Sequence, residues 1–158
     1  MDKLTISIFG NQIFSEIINE LKLFSKYKLK FYDNIDLYTK DAMDHDQLVI
    51  FFITKTNKKY FKQIINYSFP LIIIANFSLS QNSLSSEFTE QLNMPFRMVN
   101  LEKKIVLLEA RYKFKKRSLI NLCGYIIDKN ERKIKKNNLV LLLTEKEINF
   151  LVLFKQND

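Results

Sequence analysis

The chain contains few residues of the types that perform catalysis or hold metal ions. Its 158 residues include one His, one Cys and two Gly. Cys123 and His45 cannot supply the four ligands of a structural zinc site, and a single Cys excludes a disulfide framework. Gly10 and Gly124 stand near opposite ends of the chain, so neither common glycine-rich phosphate-binding loop is present. His45 lies between two aspartates, but three consecutive side chains converge poorly on one metal ion, and an exposed loop is expected there. We therefore predict a protein that is not an enzyme and needs no cofactor or metal.

Basic residues are the most abundant chemically distinctive group, and they are unevenly distributed. Lys and Arg number 25 against 17 Asp and Glu, a formal net charge of +8. Residues 1–100 hold 11 basic and 10 acidic residues, whereas residues 101–158 hold 14 basic and 7 acidic residues. Within 113–136, nine Lys or Arg accompany only Asp128 and Glu131. This asymmetry favours two interpretations equally, a polyanionic partner or a solvated lysine-rich face.

The two longest apolar runs are typical of buried strands. LVIFFI at 48–53 and PLIIIA at 70–75 are much too short to cross a bilayer. They match strands in the middle of a parallel sheet, which are buried on both faces. The N-terminal residues MDKLTIS contain no apolar signal-peptide core. We therefore expect a soluble, cytoplasmic protein that does not bind membranes.

Strands and helices alternate in the pattern of the first 112 residues. Apolar runs and period-two patterns predict strands, whereas apolar residues at helical spacing predict helices. The predicted strands cover 4–9, 28–33, 48–53, 70–75 and 94–96, and the predicted helices cover 11–25, 34–46 (a weak signal), 57–67, 83–92 and 101–112. Alternation at this spacing predicts an α/β fold with a five-stranded parallel sheet.

A different pattern follows this α/β segment. KFKKRS (113–118) predicts a basic linker. Asn137 and Asn138 suit a turn, because Asn tolerates positive φ better than other non-glycine residues. Thr144 and Glu147 form a capping-box pattern, which predicts a final helix that places Ile148, Leu151 and Val152 on one side. Tightly spaced short segments predict an antiparallel meander with strands at 119–122, 125–128, 132–135 and 139–143.

Two segments resemble parts of bacterial response regulators. MPFRMVNLEKKIVLLEAR (94–111) resembles the last strand and last helix of their receiver domains, in which a Pro-Phe pair precedes an amphipathic helix ending in Arg. Residues 120–154 resemble the start of an OmpR/PhoB-type winged-helix DNA-binding domain, where a four-stranded antiparallel sheet precedes an L-T-x-x-E helix start. The resemblance implies a flavodoxin-like (βα)5 receiver-like domain over 1–112, with strand order 2-1-3-4-5. It also implies that 119–158 form a partial winged-helix domain, consisting of the antiparallel sheet and the first helix.

The chain departs from this resemblance at the positions that carry a receiver's chemistry. A working receiver binds Mg²⁺ through acidic residues after its first strand and accepts a phosphoryl group on an Asp at the end of the third. Phosphoryl transfer requires hard oxygen ligands for Mg²⁺ and a cation near the developing charge. We therefore expect no phosphoacceptor and no bound Mg²⁺, because the corresponding positions hold neutral residues: Phe9-Gly10-Asn11, Phe51 to Thr54, Ala75, Gln91 and Met94.

The resemblance also implies a two-fold dimer face formed by the fourth helix, the fifth strand and the fifth helix. In a self-complementary interface, Glu90 of one copy can meet Arg111 of the other. For Ile105 and Leu108, packing on the protein's own sheet is the competing interpretation. We expect a homodimer, and the residues that the resemblance places on its face are Glu90, Lys104, Ile105, Leu108 and Arg111.

The basic segment is the candidate DNA-contacting surface. Phosphate contacts add electrostatic affinity but read no sequence. In the family, bases are read by a later recognition helix and a wing, and this chain ends before both, so weak and non-specific DNA binding is expected. The candidate phosphate-contacting residues are Lys113, Lys115, Lys116, Arg117, Lys133, Lys135 and Lys136.

Three hypotheses about function remain open from the sequence. The leading one is a DNA-binding transcriptional regulator with a phosphorylation-independent, degenerate receiver that acts through dimerisation. The second is a truncated protein-interaction module that dimerises without reading DNA. The third is a small enzyme on a flavodoxin-like sheet, which the lack of a polar cluster at the predicted strand ends disfavours.

Overall fold

The computed structural model of the protein describes residues 3–32, 47–65, 69–77 and 87–156. The chain divides into two compact units, Met1–Ala110 and Arg111–Asp158. The predicted helix at 34–46, and with it the Asp44-His45-Asp46 segment, lies outside the described residues.

A five-stranded parallel sheet forms the centre of the first unit. Its strands lie in the spatial order β2-β1-β3-β4-β5, and all four neighbouring pairs are parallel. The predicted α/β sheet and the strand order 2-1-3-4-5 are therefore confirmed. The strands are β1 (Thr5–Phe9), β2 (Lys28–Tyr32), β3 (Gln47–Phe52), β4 (Leu71–Ala75) and β5 (Thr89–Asn93).

Helices flank this sheet, and the first of them begins at a side-chain cap. The Oδ1 atom of Asn11 accepts a hydrogen bond from the Ile13 amide at 2.8 Å, which satisfies one of the unpaired amides at the start of the first helix. Within the described ranges, no helix combines the length and apolar character that crossing a membrane requires. The described helices are α1 (Gln12–Glu20), α2 (Phe61–Ile65) and α3 (Met98–Ser118), with 3₁₀ turns at Lys22–Phe24 and Lys58–Tyr60.

The core of the first unit covers both faces of the sheet. Every residue of β1 and β4 is buried, as the apolar run at 70–75 predicts. One face packs against α1 and α3 through the cluster that includes Ile6, Ile8, Leu48, Ile50, Ile72, Ile74, Leu101, Ile105 and Leu108. The other face packs against α2 through the cluster that includes Phe9, Val49, Phe51, Ile64, Leu71 and Ile73.

The fifth strand is displaced from its predicted position. The prediction of a helix over 83–92 is wrong for its last residues, because Thr89–Asn93 form β5 in register with β4. The prediction of a strand at 94–96 is wrong as well. Pro95 has no amide hydrogen to donate to a ladder, whereas the polar residues of β5 suit a strand at the edge of the sheet.

The second unit contains a four-stranded antiparallel sheet followed by a helix, as predicted. Its strands pair consecutively, and a row of apolar residues in register crosses one face from Ile127 through Ile134 to Leu141. Ile127 is fully buried, whereas 67% of Leu141 is exposed. Burial therefore decreases towards the last strand. The elements are β6 (Leu119–Leu122), β7 (Tyr125–Asp128), β8 (Lys133–Lys136), β9 (Leu139–Leu142) and α4 (Glu145–Gln156).

Residues 113–118 form the last part of α3 rather than a separate linker. Lys and Arg have high helix propensity, and basic residues are favourable beside the partial negative charge of a helix C-terminus. The Ser118 hydroxyl donates to the Lys115 carbonyl at 2.7 Å at the end of the helix. The boundary between the two units therefore falls within α3.

The predicted turn and cap of the second unit are both present. Asn137 has φ 52°, the left-handed conformation that the turn between β8 and β9 requires. The Thr144 amide donates to Glu147 Oε2 at 2.7 Å, and the Glu147 amide donates to Thr144 Oγ1 at 3.4 Å. This reciprocal pair is the capping box that begins α4. Cys123 (φ 47°) and Gly124 (φ 79°) form another left-handed turn, between β6 and β7.

Candidate nucleic-acid interface

The seven candidate phosphate-contacting residues come from two elements of the second unit. The C-terminal part of α3 carries four of them and β8 carries the other three. Five of the seven have exposed side chains, and two, Lys115 and Lys133, are partly buried. The exposed members are Lys113, Lys116, Arg117, Lys135 and Lys136.

The lysines of β8 are divided between the two faces of the sheet. Successive side chains of a strand point to opposite faces, so Lys133 and Lys135 share one face and Lys136 lies on the other. The Lys136 Nζ atom lies 4.2 Å from the centre of the Tyr125 ring, within the range of a cation–π interaction. The basic residues of the second unit therefore do not form one continuous surface on the sheet.

Lys115 is held in an ion-pair cluster. Its Nζ atom lies 2.8 Å from Asp128 Oδ2 and also pairs with Glu131. Lys133 completes the cluster at 3.2 Å from Glu131 Oε2. Hydrogen bonds to Asp128 and Glu131 raise the pKa of Lys115. The Lys115 ammonium group therefore neutralises two carboxylates of its own unit, and its contact with phosphate stays a prediction.

Asp128 is the buried member of the same cluster. Burial alone would raise the pKa of Asp128, but the Lys115 ammonium and the amides of Glu131 and Asn130 outweigh it and lower that pKa. The two amides donate to Asp128 Oδ1 at 3.1 and 3.0 Å. Asp128 thereby fixes the turn that leads from β7 into β8. The cluster was not predicted from the sequence, although the position of two acids inside the basic run is its signal.

Apolar side chains are exposed beside the basic residues of this unit. Leu139 and Leu142 of β9 are 76% and 77% exposed, and Phe150 of α4 is 67% exposed. The Phe150 and Phe154 rings stack on each other with centroids 6.5 Å apart. On the side of α4 that carries Ile148, Leu151 and Val152, Ile148 is buried, with 6% of its surface exposed, and the other two are partly buried.

The structure separates the predicted dimer-face residues into two buried apolar residues and three charged residues. Ile105 and Leu108 are fully buried against the protein's own sheet, so their prediction as dimer contacts is wrong and the competing interpretation holds. Glu90 and Lys104 form an ion pair at 2.8 Å within one chain. Arg111 has an exposed side chain.

Other apolar residues of α3 are exposed in their place. Val99, Val106 and Leu107 are 51%, 42% and 62% exposed. Sequence reasoning missed them because it followed only the buried stripe at helical spacing. Their signal was available, since Val99 and Val106 are seven residues apart and therefore lie on one side of the helix.

Neutral residues occupy the carboxyl ends of the central strands. Phe51 is buried, and Phe52, Ile53 and Thr54 are partly buried. The side chain of Asn57 braces this loop: its Oδ1 accepts from the Thr54 amide at 2.8 Å, and its Nδ2 donates to the Phe52 carbonyl at 2.8 Å. β1, β3 and β4 all end without an adjacent carboxylate. Among the described residues, the ends of these three strands therefore offer no acidic group to a phosphoryl donor or a cation.

The comparisons with known proteins support the fold. No protein-family model matches the sequence, and no curated protein does. Among solved structures, the chain is similar to a mutant of RitR, a response regulator, with a TM-score of 0.57 and 11% sequence identity. The similarity covers 94% of this chain and 71% of the RitR chain. At this low identity the likeness shows the fold alone, and the fold is response-regulator-like.

Proposed function

We propose that this protein is a DNA-binding regulator of the response-regulator type whose receiver-like unit works without phosphorylation. The observation that carries the proposal is the group of exposed basic residues on the second unit of a response-regulator-like fold. Exposed Lys and Arg side chains release counterions from DNA when they contact phosphates. Phosphate contacts carry no sequence information, so the proposed binding is independent of DNA sequence.

The neutral strand ends support phosphorylation-independent action. In-line phosphoryl transfer to a side chain needs an acceptor oxygen and a cation that neutralises the developing charge. Phe51 to Thr54 offer apolar side chains and one hydroxyl, which is engaged with the Thr56 hydroxyl at 2.9 Å. The proposal therefore includes neither Mg²⁺ nor any other cofactor, and it includes no catalytic activity.

The exposed residues of α3 support regulation by dimerisation. Val99, Val106 and Leu107 provide apolar contact area outside the core of the first unit. A two-fold axis near this helix would bring the same residues of two copies together. The face proposed for the homodimer is therefore displaced around the helix from Ile105 and Leu108, with Lys104 and Arg111 at its margin.

An interaction module that does not bind DNA is the second candidate function. The exposed apolar residues of β9 and α4 favour it, because large amounts of exposed apolar surface are typical of protein contact sites. Only the first candidate is expected to bind DNA, with an affinity that falls as the salt concentration rises.

Fluorescence anisotropy with a short mixed-sequence duplex separates these candidates. The proposal predicts that log Kd rises linearly with the logarithm of the salt concentration. It also predicts equal affinity for duplexes of unrelated sequence. Replacing both Lys116 and Arg117, two exposed residues near the end of α3, by Gln should reduce the slope by roughly 0.9 for each phosphate that is no longer neutralised. The matched control replaces Lys59 and Lys62, two exposed lysines of the first unit, by Gln. Equal reductions in affinity for the two double variants would contradict the assignment to the second unit, and no binding at low salt would favour the interaction module.

A further inference from the structure

Four lysines in the segment after β3 form a strongly basic surface on the first unit, here called the lysine ridge. Its members, all of them exposed, are Lys55, Lys58, Lys59 and Lys62. The stretch from Gln47 to Phe77 contains these lysines and no Asp, Glu, Arg or His. Apart from the ridge, residues 1–100 hold seven basic and ten acidic residues. The ridge is therefore a local excess of positive charge in a unit that is otherwise slightly acidic.

Helical spacing places the four lysines on one side of this segment. Residues 55–65 run through a turn, the 3₁₀ turn Lys58–Tyr60 and helix α2. Residues three, four and seven apart share one side of a helix. Another side of the segment is anchored in the core, where Ile64 is 1% exposed and the Phe61 and Phe51 ring centroids lie 6.3 Å apart. At roughly 1.5–2.0 Å per residue, the ridge is about 10–14 Å long.

Aromatic contacts hold two of the ridge lysines in place. The Lys58 Nζ atom lies 5.5 Å from the centre of the Phe77 ring, and the Lys59 Nζ atom lies 4.8 Å from the centre of the Tyr60 ring. Both distances are within the range of a cation–π interaction. Phe77 is held through its carbonyl, which accepts from Gln91 Nε2 at 2.6 Å, and 39% of its surface is exposed. The ridge is thus preorganised beside an exposed apolar side chain, which lowers the cost of ordering it on binding.

The charges of the ridge are not neutralised within the part of the chain that the structure describes. Other lysines of the same unit have carboxylate partners, as Lys104 has in Glu90. No ridge lysine forms an ion pair with a described residue. Two pairs of ridge lysines are four residues apart, a spacing at which like charges repel each other on a helix. A bound group of carboxylates would relieve this repulsion.

The size and surroundings of the ridge distinguish between two classes of anionic partner. DNA carries one negative charge per roughly 1.7 Å of its axis, so four lysines within a slightly acidic unit neutralise little of a duplex. A peptide segment offers carboxylates and apolar side chains together, which suits lysines beside an exposed Phe77. We propose that the lysine ridge binds an acidic segment of a partner protein, with Asp or Glu side chains on the lysines and an apolar side chain on Phe77. This inference does not depend on DNA binding by the second unit.

Anisotropy of a short fluorescent peptide, in which glutamates alternate with leucines, tests the proposal on the full chain. We expect saturable binding that weakens as the salt concentration rises and that is lost when Gln replaces every Glu of the peptide. Replacing both Lys58 and Lys62 by Gln should weaken binding about three- to tenfold, the effect of removing two exposed ion pairs. The matched control replaces Lys22 and Lys28, two exposed lysines elsewhere in the same unit, by Gln, and it should leave the affinity unchanged.

Phe77→Ala tests the apolar contact without changing the charge. It should weaken binding of the glutamate–leucine peptide by about two- to fivefold, because less apolar surface is buried. Binding of a peptide in which glutamates alternate with serines should stay the same. Absence of saturable binding, equal affinities of the ridge variant and the control variant, or equal binding of the Gln peptide would each overturn the proposal. Unchanged binding by Phe77→Ala would overturn the assignment of Phe77 as the apolar contact.

Two other occupants of the ridge would give different results. If the Lys58 and Lys62 double variant lost as much affinity for a mixed-sequence duplex as for the peptide, the ridge would be a nucleic-acid site and the proposal would be overturned. Residues 33–46 of this chain contain five Asp. Peptide binding that appears only after Asp36, Asp41 and Asp44 are replaced by Asn would assign the ridge to this acidic stretch, and would equally overturn the proposal.

Discussion

Individual basic residues of this protein have different roles although the sequence presents them as one run. Lys115 neutralises Asp128 and Glu131, and Lys136 lies over the Tyr125 ring, whereas Lys135 has an exposed side chain. A single sequence shows the charge of each residue but not its partner, because partners such as Lys115 and Asp128 are brought together by the turns of the sheet. The basic segment was predictable as a whole, and the role of each lysine was not.

Asp128→Asn is expected to destabilise the second unit at neutral pH by about 1.5–3 kcal/mol, the range for hydrogen bonds to charged groups. The folded pKa of Asp128 is lowered relative to its unfolded value of about 3.9, so its stabilisation is fully present above that value. It is lost as the pH falls through the folded pKa, because the unfolded chain then binds the proton more readily. Denaturant unfolding, followed through the NMR signals of Ile127 and Ile148, measures this dependence.

The comparison of two pH values isolates the Asp128 contribution from that of other acids. Between pH 5 and pH 3 the unfolding midpoint of the wild type should fall further than that of Asp128→Asn. Lys115→Met provides the control, since it removes the cation that lowers the Asp128 pKa. Parallel pH profiles of the wild type and Asp128→Asn would show that the ion pair contributes nothing to folding.

At the scale of elements, the central sheet was more predictable than its edges. Continuous apolar runs identify β3 and β4 because strands buried on both faces need apolar side chains at every position. The edge strand β5 (Thr89–Asn93) pairs with a neighbour on one side only, so it tolerates polar residues. Because it lacks the continuous apolar run of a buried strand, its sequence resembles the end of a helix followed by a loop. The Glu90 carboxylate of this strand forms an ion pair with Lys104 of α3, and no local sequence pattern reveals that interaction. The helical extension over 113–118 was missed for a related reason, since a charged run without apolar periodicity resembles a linker.

Helix α3 allows a direct test of which face is buried. Leu108→Ala should lower the free energy of unfolding by about 2–5 kcal/mol, because Leu108 is fully buried against the sheet. Leu107→Ala, one residue away, should change it by less than about 0.5 kcal/mol in the monomer. Chemical denaturation at low protein concentration provides the comparison. Similar decreases in both variants would mean that Leu107 is also covered.

The turn between β8 and β9 offers a second matched pair. Asn137 has a positive φ, whereas Asn138 does not. Asn137→Val should therefore destabilise the second unit by about 1–2 kcal/mol, the cost of a left-handed conformation for a side chain with Cβ. Asn138→Val should cost less, and Asn137→Gly should be tolerated. A larger decrease in thermal stability from Asn138→Val than from Asn137→Val would contradict this interpretation of the turn.

At the scale of the whole molecule, the two units differ in the chemistry they offer a partner. The first has a neutral strand-end region and an almost balanced charge, and the second carries most of the net charge. The proposed function couples input to DNA contact through assembly, because the described ends of β1, β3 and β4 carry no carboxylate that could accept a phosphoryl group. Association of the molecule should therefore be insensitive to phosphoryl donors and sensitive to the exposed face of α3.

Sedimentation of the full chain with and without acetyl phosphate and Mg²⁺ tests both parts of this expectation. The monomer–dimer equilibrium should be the same in the two conditions, and intact mass spectrometry should detect no added phosphoryl group. Leu107→Gln should shift the equilibrium towards monomer, since it replaces an exposed apolar side chain of the proposed interface, whereas Lys62→Gln should leave it unchanged. Dimerisation that appears only with acetyl phosphate would mean that an acidic residue elsewhere in the chain accepts the group. A chain that stays monomeric at high concentration would instead remove dimerisation from the proposed function. The proposed salt-dependent binding of DNA would not be affected by that result, because the proposal assigns it to the exposed basic residues of the second unit alone.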